Sequence, residues 1–339
     1  YTLLISGFFS LIFFKSKSNR KRPSLFDKIL TILFGYIFIP LILSIPFYFS
    51  IYNLTFLNSL FESVSGFTST GFSIFDNIKQ IDQSLILWRS TTQWIGGLYF
   101  LFSIIFLIDI YDESLKRSLT NFISLNNSEI IKQTVKVFIL YFLLTLSIFI
   151  ILELIGLRTF NSVNLALTLI SSGGFLPFND ISVILNTDFK KIVLSILMLI
   201  SFFSIFFIYN LILFRNRDKN FFYEDYNLLL YVIILVLVFL LFFSYNNNFI
   251  NIVFSIFSSI SNIGISLNSE FTNLHFIFLI LVIIGGSFFS TSSGLRFIKI
   301  YSLIVFSLNQ ILSFSKPRNI FMNRLLFSKT NFKINEINK

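Results

Sequence analysis

Long stretches without charged side chains divide this sequence into apolar elements separated by short polar segments. The charge-free stretches are residues 29–61, 90–108, 137–152, 159–179, 192–214, 226–269 and 271–295. A helix needs about 20 mainly apolar residues to cross the hydrocarbon core of a membrane. The pattern therefore predicts membrane spans at Lys28 to Phe49, Leu85 to Ile108, Thr134 to Gly156, Lys190 to Phe214 and Asp225 to Tyr245, and a longer element from Leu274 to Leu308.

Three shorter apolar segments each precede a turn rich in hydroxyl residues and glycine. The segments are Leu57 to Gly66, Ser162 to Leu169 and Ile250 to Ser259. A helix of that length reaches only about 12 to 15 Å, so it can enter a core of about 30 Å but must turn back. Non-helical backbone at that depth survives only where protein buries it or where it lines a water-filled cavity. The sequence thus predicts three direct repeats of helix, re-entrant pore helix, turn and second helix.

The turns carry the groups that a dehydrated cation needs. Backbone carbonyls and hydroxyls can replace the water around a cation, and glycine permits the backbone angles that turn carbonyls inward. One such turn would be an ordinary connection between helices, whereas three behind short helices favour a pore. The candidate ion-binding residues are Thr68, Ser69, Thr70, Gly71, Ser171, Ser172, Gly173, Gly174, Ser261, Asn262, Ile263 and Gly264.

The last apolar element, Leu274 to Leu308, is too long for one span, since it would measure about 52 Å as a helix. Its middle is rich in glycine and serine, which disfavour a helix interior. We expect half-helices at His275 to Ile284 and Phe297 to Leu308, with a loop between them that obstructs the pore. The candidate gate residues are Gly285, Gly286, Ser287, Ser290, Thr291, Ser292, Ser293, Gly294 and Arg296.

Charged residues of the apolar elements, among them Arg296 in the last element and Glu62 in the first pore segment, have open roles. Arg296 is expected to repel cations in the closed pore or to anchor the loop, with snorkelling toward the cytoplasm as the alternative. Glu62 is expected to hold the first pore helix or to attract cations, with an ordinary interhelical hydrogen bond as the alternative.

Composition narrows the functional classes. Of 339 residues, 55% are hydrophobic and only 12% are charged, about half the charge of a typical soluble domain. There is no cysteine and only one histidine, which excludes a disulfide framework, a thiolate metal site and a zinc site built from several histidines. The chain is therefore not expected to be an enzyme.

The net charge of +10 is distributed unevenly. Of the 26 Lys and Arg residues, 21 fall on one side of the predicted topology. This asymmetry is typical of membrane proteins, in which basic loops face the cytoplasm. It disfavours nucleic acid as a partner, because the basic residues are concentrated in loops on one side of the predicted membrane topology instead of forming a single basic surface.

Particular segments resemble the Trk/Ktr/HKT superfamily of potassium transporters. Residues 61–71 (FESVSGFTSTG) and 88–97 (WRSTTQWIGG) are similar to the first pore repeat of its TrkH-type membrane subunits. Residues 171–175 (SSGGF) resemble the second filter loop, and residues 285–296 resemble the intramembrane gate loop. The resemblance implies that the filter glycines are Gly71, Gly173 and Gly264. The chain departs from the family in the third filter loop, at Asn262 and Ile263, and in the gate loop, where Phe289, Ser292 and Ser293 replace glycines.

The resemblance implies an all-α polytopic membrane protein with a pseudo-fourfold pore. It implies the pore-forming subunit of a K⁺ uptake system in the bacterial inner membrane, with K⁺ bound only at filter carbonyls. A sodium-selective or mixed K⁺/Na⁺ transporter is the alternative, and sodium-selective relatives often carry serine at the first filter position. A secondary transporter of a small solute would need inverted repeats, which the direct repeats disfavour.

The resemblance also implies partners. We expect a homodimer in contact with membrane lipid, and cytoplasmic regulatory subunits that bind NAD or ATP/ADP, with no cofactor in this chain itself. The expected docking surfaces are Asp109 to Gln133, Arg215 to Glu224 and the tail after Leu312. The bulkier gate loop, with Ser292 and Ser293, is expected to gate more slowly or more tightly.

The predicted organisation assigns a role to each part of the chain. Residues 1–27 form the end of a preceding membrane helix and a basic cytoplasmic loop, and residues 311–339 form a cytoplasmic linker. The repeats are residues 28–133, 134–224 and 225–310, the last with the broken gate helix. A pseudo-fourfold pore requires a fourth repeat, which this chain lacks, so we expect a longer protein or a second chain to supply it.

Overall fold

The computed structural model describes residues 24–107, 130–212, 222–243, 249–267 and 275–315. These ranges are helical apart from turns and one pair of two-residue strands. The helices are α1 Leu25–Leu43, α2 Ile45–Tyr48, α3 Phe56–Phe67, α4 Gln83–Phe106, α5 Ile130–Leu154, α6 Thr159–Ile170, α7 Asp188–Phe202, α8 Ile205–Ile212, α9 Tyr223–Phe243, α10 Phe249–Ile260, α11 His275–Ile283 and α12 Phe297–Ser315. The strands are β1 Ile284–Gly285 and β2 Leu295–Arg296, and short 3₁₀ turns lie at Ile78–Gln80 and Ile181–Val183.

The helices repeat three times in the predicted order. Each repeat has a first helix (α1, α5 or α9), a pore helix (α3, α6 or α10) and a second helix (α4, α7 with α8, or α11 with α12). Each pore helix has 12 residues, somewhat more than the sequence predicts. Its length of about 18 Å is still well short of the membrane core of about 30 Å.

Four stretches of the described chain are long and apolar enough to cross a membrane. They are Leu25–Tyr48, Gln133–Leu154, Tyr223–Phe242 and Phe297–Phe314. The 24 residues of α4 are also long enough, but one face of this helix carries buried polar side chains. Arg89, Thr92 and Gln93 are each at most 1% exposed, because that face packs against the pore helices.

Several of these helices begin at a residue whose side chain caps the helix N-terminus. Ser24 and Asp27 form a capping box at the start of α1, and Thr55 and Thr187 cap α3 and α7 by accepting backbone N–H groups. Such caps satisfy donors that the first helical turn leaves unpaired. They fix where α1, α3 and α7 start.

The pore helices pack against helices of their own and neighbouring repeats. The first, α3, packs on α1 and α4; the second, α6, packs on α4 and α5; and the third, α10, packs on α7. The contact of α4 with the end of α3 requires glycine, because a Cβ at Gly96 would lie 1.8 Å from the Phe67 carbonyl oxygen. Each of α6 and α10 thus rests on the second helix of the preceding repeat.

The predicted span Lys190 to Phe214 is not one helix, and that prediction is wrong. Helix α7 ends at Phe202, and α8 starts at Ile205. The carbonyls of Ser201 and Phe202 accept N–H groups from the loop between β1 and β2. The Ser204 N–H donates to an Asp225 carboxylate oxygen at 2.9 Å. Tertiary hydrogen bonds therefore replace the helical ones at this point.

Candidate functional site

The three pore helices end in the same hydrogen-bonded turn, the Schellman motif. In the first, the Ser69 N–H donates to the Gly66 carbonyl at 3.0 Å, and the Thr70 N–H donates to the Ser65 carbonyl at 2.9 Å. The corresponding donor and acceptor pairs are Ser172 to Leu169, Gly173 to Thr168, Asn262 to Ser259, and Ile263 to Ser258. We call residues 68–71, 171–174 and 261–264 the glycine turns.

Each glycine turn has two residues with positive φ, separated by one residue. The first is polar: Ser69 (54°), Ser172 (56°) and Asn262 (59°). The second is glycine: Gly71 (83°), Gly174 (76°) and Gly264 (73°). The predicted filter glycine Gly173 instead corresponds to Thr70 and Ile263. That prediction is wrong by one residue, because the motif does not choose between two adjacent glycines.

The three glycine turns lie side by side. A Cβ at Gly71 would lie 3.1 Å from the Gly173 carbonyl oxygen, and a Cβ at Gly174 would lie 2.1 Å from the Ile263 carbonyl oxygen. The Ser172 hydroxyl donates to the Ser261 carbonyl. The second turn lies between the other two, because it contacts both; Ser172 is 3% exposed, whereas Thr68, Thr70 and Gly264 are exposed.

Side chains behind the turns fix the backbone that leaves them. Ser65 and Ser258 occupy the same position in the first and third repeats, and their hydroxyls donate to the Phe72 and Ile265 carbonyls. In the second repeat, Gln93 of α4 holds the backbone in place of such a serine. Its amide nitrogen donates to the Gly173 carbonyl at 2.6 Å, and its oxygen accepts the Phe175 N–H at 3.1 Å.

Glu62 is part of a buried ion pair. Its Oε1 accepts from Arg89 Nε at 2.7 Å, and its Oε2 accepts the Ile74 N–H at 3.0 Å. The Glu62 side chain is 0% exposed. The structure thus favours the first role considered for Glu62, which is to hold the first pore helix and the backbone near it.

The loop between β1 and β2, residues 286–294, is here called the serine loop. Its two strands pair in parallel, Ile284 with Leu295 and Gly285 with Arg296. The chain therefore enters and leaves the loop in the same direction, so α11 and α12 are two halves of an interrupted span. This confirms the predicted break, although α12 continues beyond the predicted Leu308. Gly286 admits no side chain, since a Cβ there would lie 2.1 Å from the Phe202 carbonyl oxygen.

Arg296 anchors the serine loop. Its Nη1 donates to the Ser287 carbonyl at 3.0 Å, the Ser290 hydroxyl at 3.0 Å and the Ser292 carbonyl at 3.2 Å. Its guanidinium carbon lies 5.2 Å from the centre of the Phe100 ring. These contacts favour the anchoring role over snorkelling.

Two further hydrogen bonds join the serine loop to the end of the second pore helix and to the third glycine turn. The Thr291 hydroxyl donates to the Ile170 carbonyl at the end of α6 at 2.7 Å. The Asn262 side-chain amide donates to the Ser293 carbonyl at 3.2 Å. A cavity of about 160 Å³ lies between the loop and the first two glycine turns, lined in part by Thr68, Ser69, Ser171, Ser172, Thr291, Ser292 and Ser293.

Two acidic residues at the start of α9 hold neighbouring segments: Glu224 holds the serine loop, and Asp225 holds the break between α7 and α8. Glu224 Oε1 accepts the Phe288 N–H at 3.0 Å, and Asp225 accepts the Ser204 N–H. Glu224, the last residue of the predicted docking surface Arg215 to Glu224, thus contacts the serine loop through its carboxylate, and the docking surface itself stays a prediction. The remaining predicted docking segments lie outside the described residues, apart from residues 130–133, 222–223 and 313–315.

The chemistry of this region comes from neutral oxygen atoms. Among the residues that the structure describes, no group of three or more His, Asp or Glu side chains is placed to hold a metal ion. Carbonyls and hydroxyls of the three glycine turns lie together instead. Such oxygens suit a weakly held alkali cation that must enter and leave quickly.

Sequence reasoning missed several residues of this region. Gln93 and Arg89 lie in the motif at residues 88–97 but were not predicted as site residues, and Asp225 was predicted only as a span boundary. The sequence does contain a signal for these residues, because a polar or charged side chain inside a membrane span is a functional candidate by default.

The chain matches the family model for TrkH, described as cation transport protein, over residues 5–223. An uncharacterized cation transporter of Methanocaldococcus jannaschii is 25% identical over 330 residues, which cover 91% of this chain and 66% of the relative. The Trk system potassium uptake protein TrkG of Escherichia coli is 25% identical over 282 residues, which cover 78% of this chain and 58% of that protein. The chain therefore spans less than two thirds of the length of these two relatives.

The crystal structure of the potassium transporter TrkH from Vibrio parahaemolyticus has a similar fold. Its TM-score is 0.74 at 18% sequence identity, and the match covers 94% of this chain and 69% of that chain. Together with the apolar helices, this likeness identifies an all-α, polytopic integral membrane protein.

Proposed function

Because this chain belongs to the TrkH family of cation transport proteins, we propose that it forms the pore of a potassium uptake system. The family consists of transporters, and the chain is not an enzyme. The observation that carries the proposal is the set of three glycine turns with the same backbone conformation, packed side by side at the ends of three short helices. Cations pass inward through a filter that these turns line.

Potassium is the proposed ion, and sodium is the alternative. Glycine occupies the second positive-φ position in all three turns, including the first, where sodium-selective relatives often carry serine. The E. coli and Halomonas elongata relatives are both Trk system potassium uptake proteins. Inward movement of one cation across 100 mV releases about 2.3 kcal/mol, enough for roughly fiftyfold accumulation.

The serine loop is the proposed gate. It is held against Ile170 and Asn262 on the cavity side and by Arg296 from within, so it obstructs the path below the turns. A conducting state requires the loop to move away from these partners. Because it joins two half-helices, a small shift of α11 or α12 is enough to change its position.

The proposed partners and location come from the family and from the charge pattern. The protein acts as a homodimer in the bacterial inner membrane, with its basic loops in the cytoplasm. Cytoplasmic regulatory subunits supply any nucleotide control, through NAD or ATP/ADP, and this chain holds no cofactor beyond the transported ion. The names of the relatives support assembly into a Trk system.

Rubidium uptake tests the proposed function. The complete gene that encodes this chain is expressed in cells that lack their own K⁺ uptake systems, with empty-vector cells as the control. We expect Rb⁺ uptake and growth at low K⁺, because Rb⁺ is close to K⁺ in size. Uptake of Na⁺ without Rb⁺ would overturn the choice of potassium, and uptake of neither ion would contradict a cation pore.

A further inference from the structure

The first repeat contains a buried ion pair that has no counterpart among the described residues of the other two repeats. Glu62 of α3 is 0% exposed, and Arg89 of α4 is 1% exposed. Glu62 lies nine residues before Gly71. The residues nine positions before Gly174 and Gly264 are Leu165 and Ser255. A buried charged pair that one repeat carries, and that the others lack at the corresponding positions, indicates a role specific to the first repeat.

Stability alone is a weak reason for such a pair. Removing two charges from water costs about as much free energy as their attraction returns, and well-packed apolar residues are often as stable or more so. The groups that Glu62 and Arg89 contact therefore indicate the role of the pair better than the attraction between the two charges does.

Both side chains hold the backbone that follows the first glycine turn. Glu62 accepts the Ile74 N–H, and the Ser73 hydroxyl lies 3.1 Å from Glu62 Oε1. Ser73 in turn accepts from Arg89 Nη2 at 2.9 Å. Residues 73 and 74 come two and three positions after Gly71. Charge-assisted hydrogen bonds are short and directional, so they fix where this segment lies.

Arg89 also contacts the segment that follows the second glycine turn. Its guanidinium carbon lies 4.3 Å from the centre of the Phe175 ring, and Phe175 directly follows Gly174. One helical turn further along α4, Gln93 accepts the Phe175 N–H. The same face of α4 thus touches the backbone that leaves both turns.

We propose that Glu62 and Arg89 are positioning residues that set the spacing between the first and second glycine turns and thereby the ion selectivity of the pore. Neither side chain is assigned as an ion ligand. They act through Ser73, Ile74 and Phe175. The inference rests on the proposed function, because it concerns the selectivity of that pore.

Two conservative variants of the full-length protein test it. Arg89→Lys keeps the positive charge but loses the planar group that bonds Glu62 and Ser73 together and stacks on Phe175. Glu62→Gln keeps the shape but removes the negative charge. We expect each variant to lower the ratio of Rb⁺ to Na⁺ uptake about tenfold, which corresponds to about 1.4 kcal/mol of differential binding.

The control is Arg158→Lys, the same substitution at an exposed arginine that precedes α6; its ratio should equal that of the wild type. The ratio does not depend on the amount of protein in the membrane. An unchanged ratio in both variants, an equal fall in uptake of both ions, or loss of both variants from the membrane would assign the pair to folding alone and overturn the inference. Wild-type protein that carries neither ion would instead contradict the proposed function.

Discussion

The three glycines that end the turns share one backbone conformation but differ in the space around them. A Cβ at Gly174 would lie 2.1 Å from the Ile263 carbonyl oxygen, and a Cβ at Gly71 would lie 3.1 Å from the Gly173 carbonyl oxygen. The first distance is a severe overlap with backbone, which cannot rotate away. The second requires a shift of only a few tenths of an ångström.

Serine substitutions at these two positions should therefore have different effects. Both substitutions carry the same backbone strain, on the order of 1–3 kcal/mol at positive φ. We expect Gly174→Ser to lose more than about a hundredfold of Rb⁺ uptake, and Gly71→Ser to stay within about tenfold of the wild type while admitting more Na⁺. The measurement is Rb⁺ and Na⁺ uptake per unit of protein in the membrane. Equal losses in the two variants would show that the close contact with Ile263 does not decide the effect.

The sequence predicted where the turns lie but not their register. The resemblance places a glycine in the second turn, yet Gly173 and Gly174 fit a glycine motif equally well. The backbone angles and the hydrogen bonds of the turns assign Gly174 to the position of Gly71. Positive φ at Ser69 and Asn262 was also beyond sequence reasoning, because glycine is the usual residue at that position of a Schellman motif.

At the scale of elements, the serine loop is held by its own side chains as well as by its neighbours. The Ser292 hydroxyl accepts the Gly286 N–H at 3.0 Å and lies 3.1 Å from the Ser290 hydroxyl. Ser292 is 0% exposed, whereas Ser293 is exposed. The two serines that replace family glycines therefore differ in what they contribute to a closed loop.

Replacing each serine by glycine separates these contributions. Ser292→Gly removes the partner of the Gly286 N–H, and a hydrogen bond of this kind contributes about 1 kcal/mol. We expect the ratio of open to closed channel to rise about fivefold in single-channel recordings. Ser293→Gly is the matched control and should change the open probability much less. An unchanged open probability in Ser292→Gly would remove the idea that this serine tightens the gate.

The two helix breaks near this loop differ in how far they were predictable. The break between α11 and α12 follows from the length of the apolar element and from glycines 285, 286 and 294. The break between α7 and α8 follows from neither, because residues 201–204 read Ser-Phe-Phe-Ser. Hydrogen bonds from the serine loop and from Asp225 impose it, and such tertiary contacts leave no periodic signal in the sequence.

At the scale of the whole molecule, the proposed topology places the glycine turns and the end of α12 toward opposite sides of the membrane. Lys79 follows the first glycine turn and is exposed, and Gln310 is exposed near the end of α12, beyond the serine loop. The 19 residues of α12 measure about 28 Å as a helix, so its end lies well beyond the serine loop. If the basic loops face the cytoplasm, Lys79 lies outside and Gln310 inside.

Single cysteines can test this orientation, because none of the 339 residues is cysteine. We expect a membrane-impermeant maleimide to label Lys79→Cys in intact cells and to label Gln310→Cys only after the membrane is opened. The unsubstituted chain, which should take no label, is the control. The opposite pattern would invert the topology and place the serine loop on the outer side of the glycine turns. Cations entering from outside would then meet the gate before the filter, so inward uptake would require a different order of steps from the one proposed.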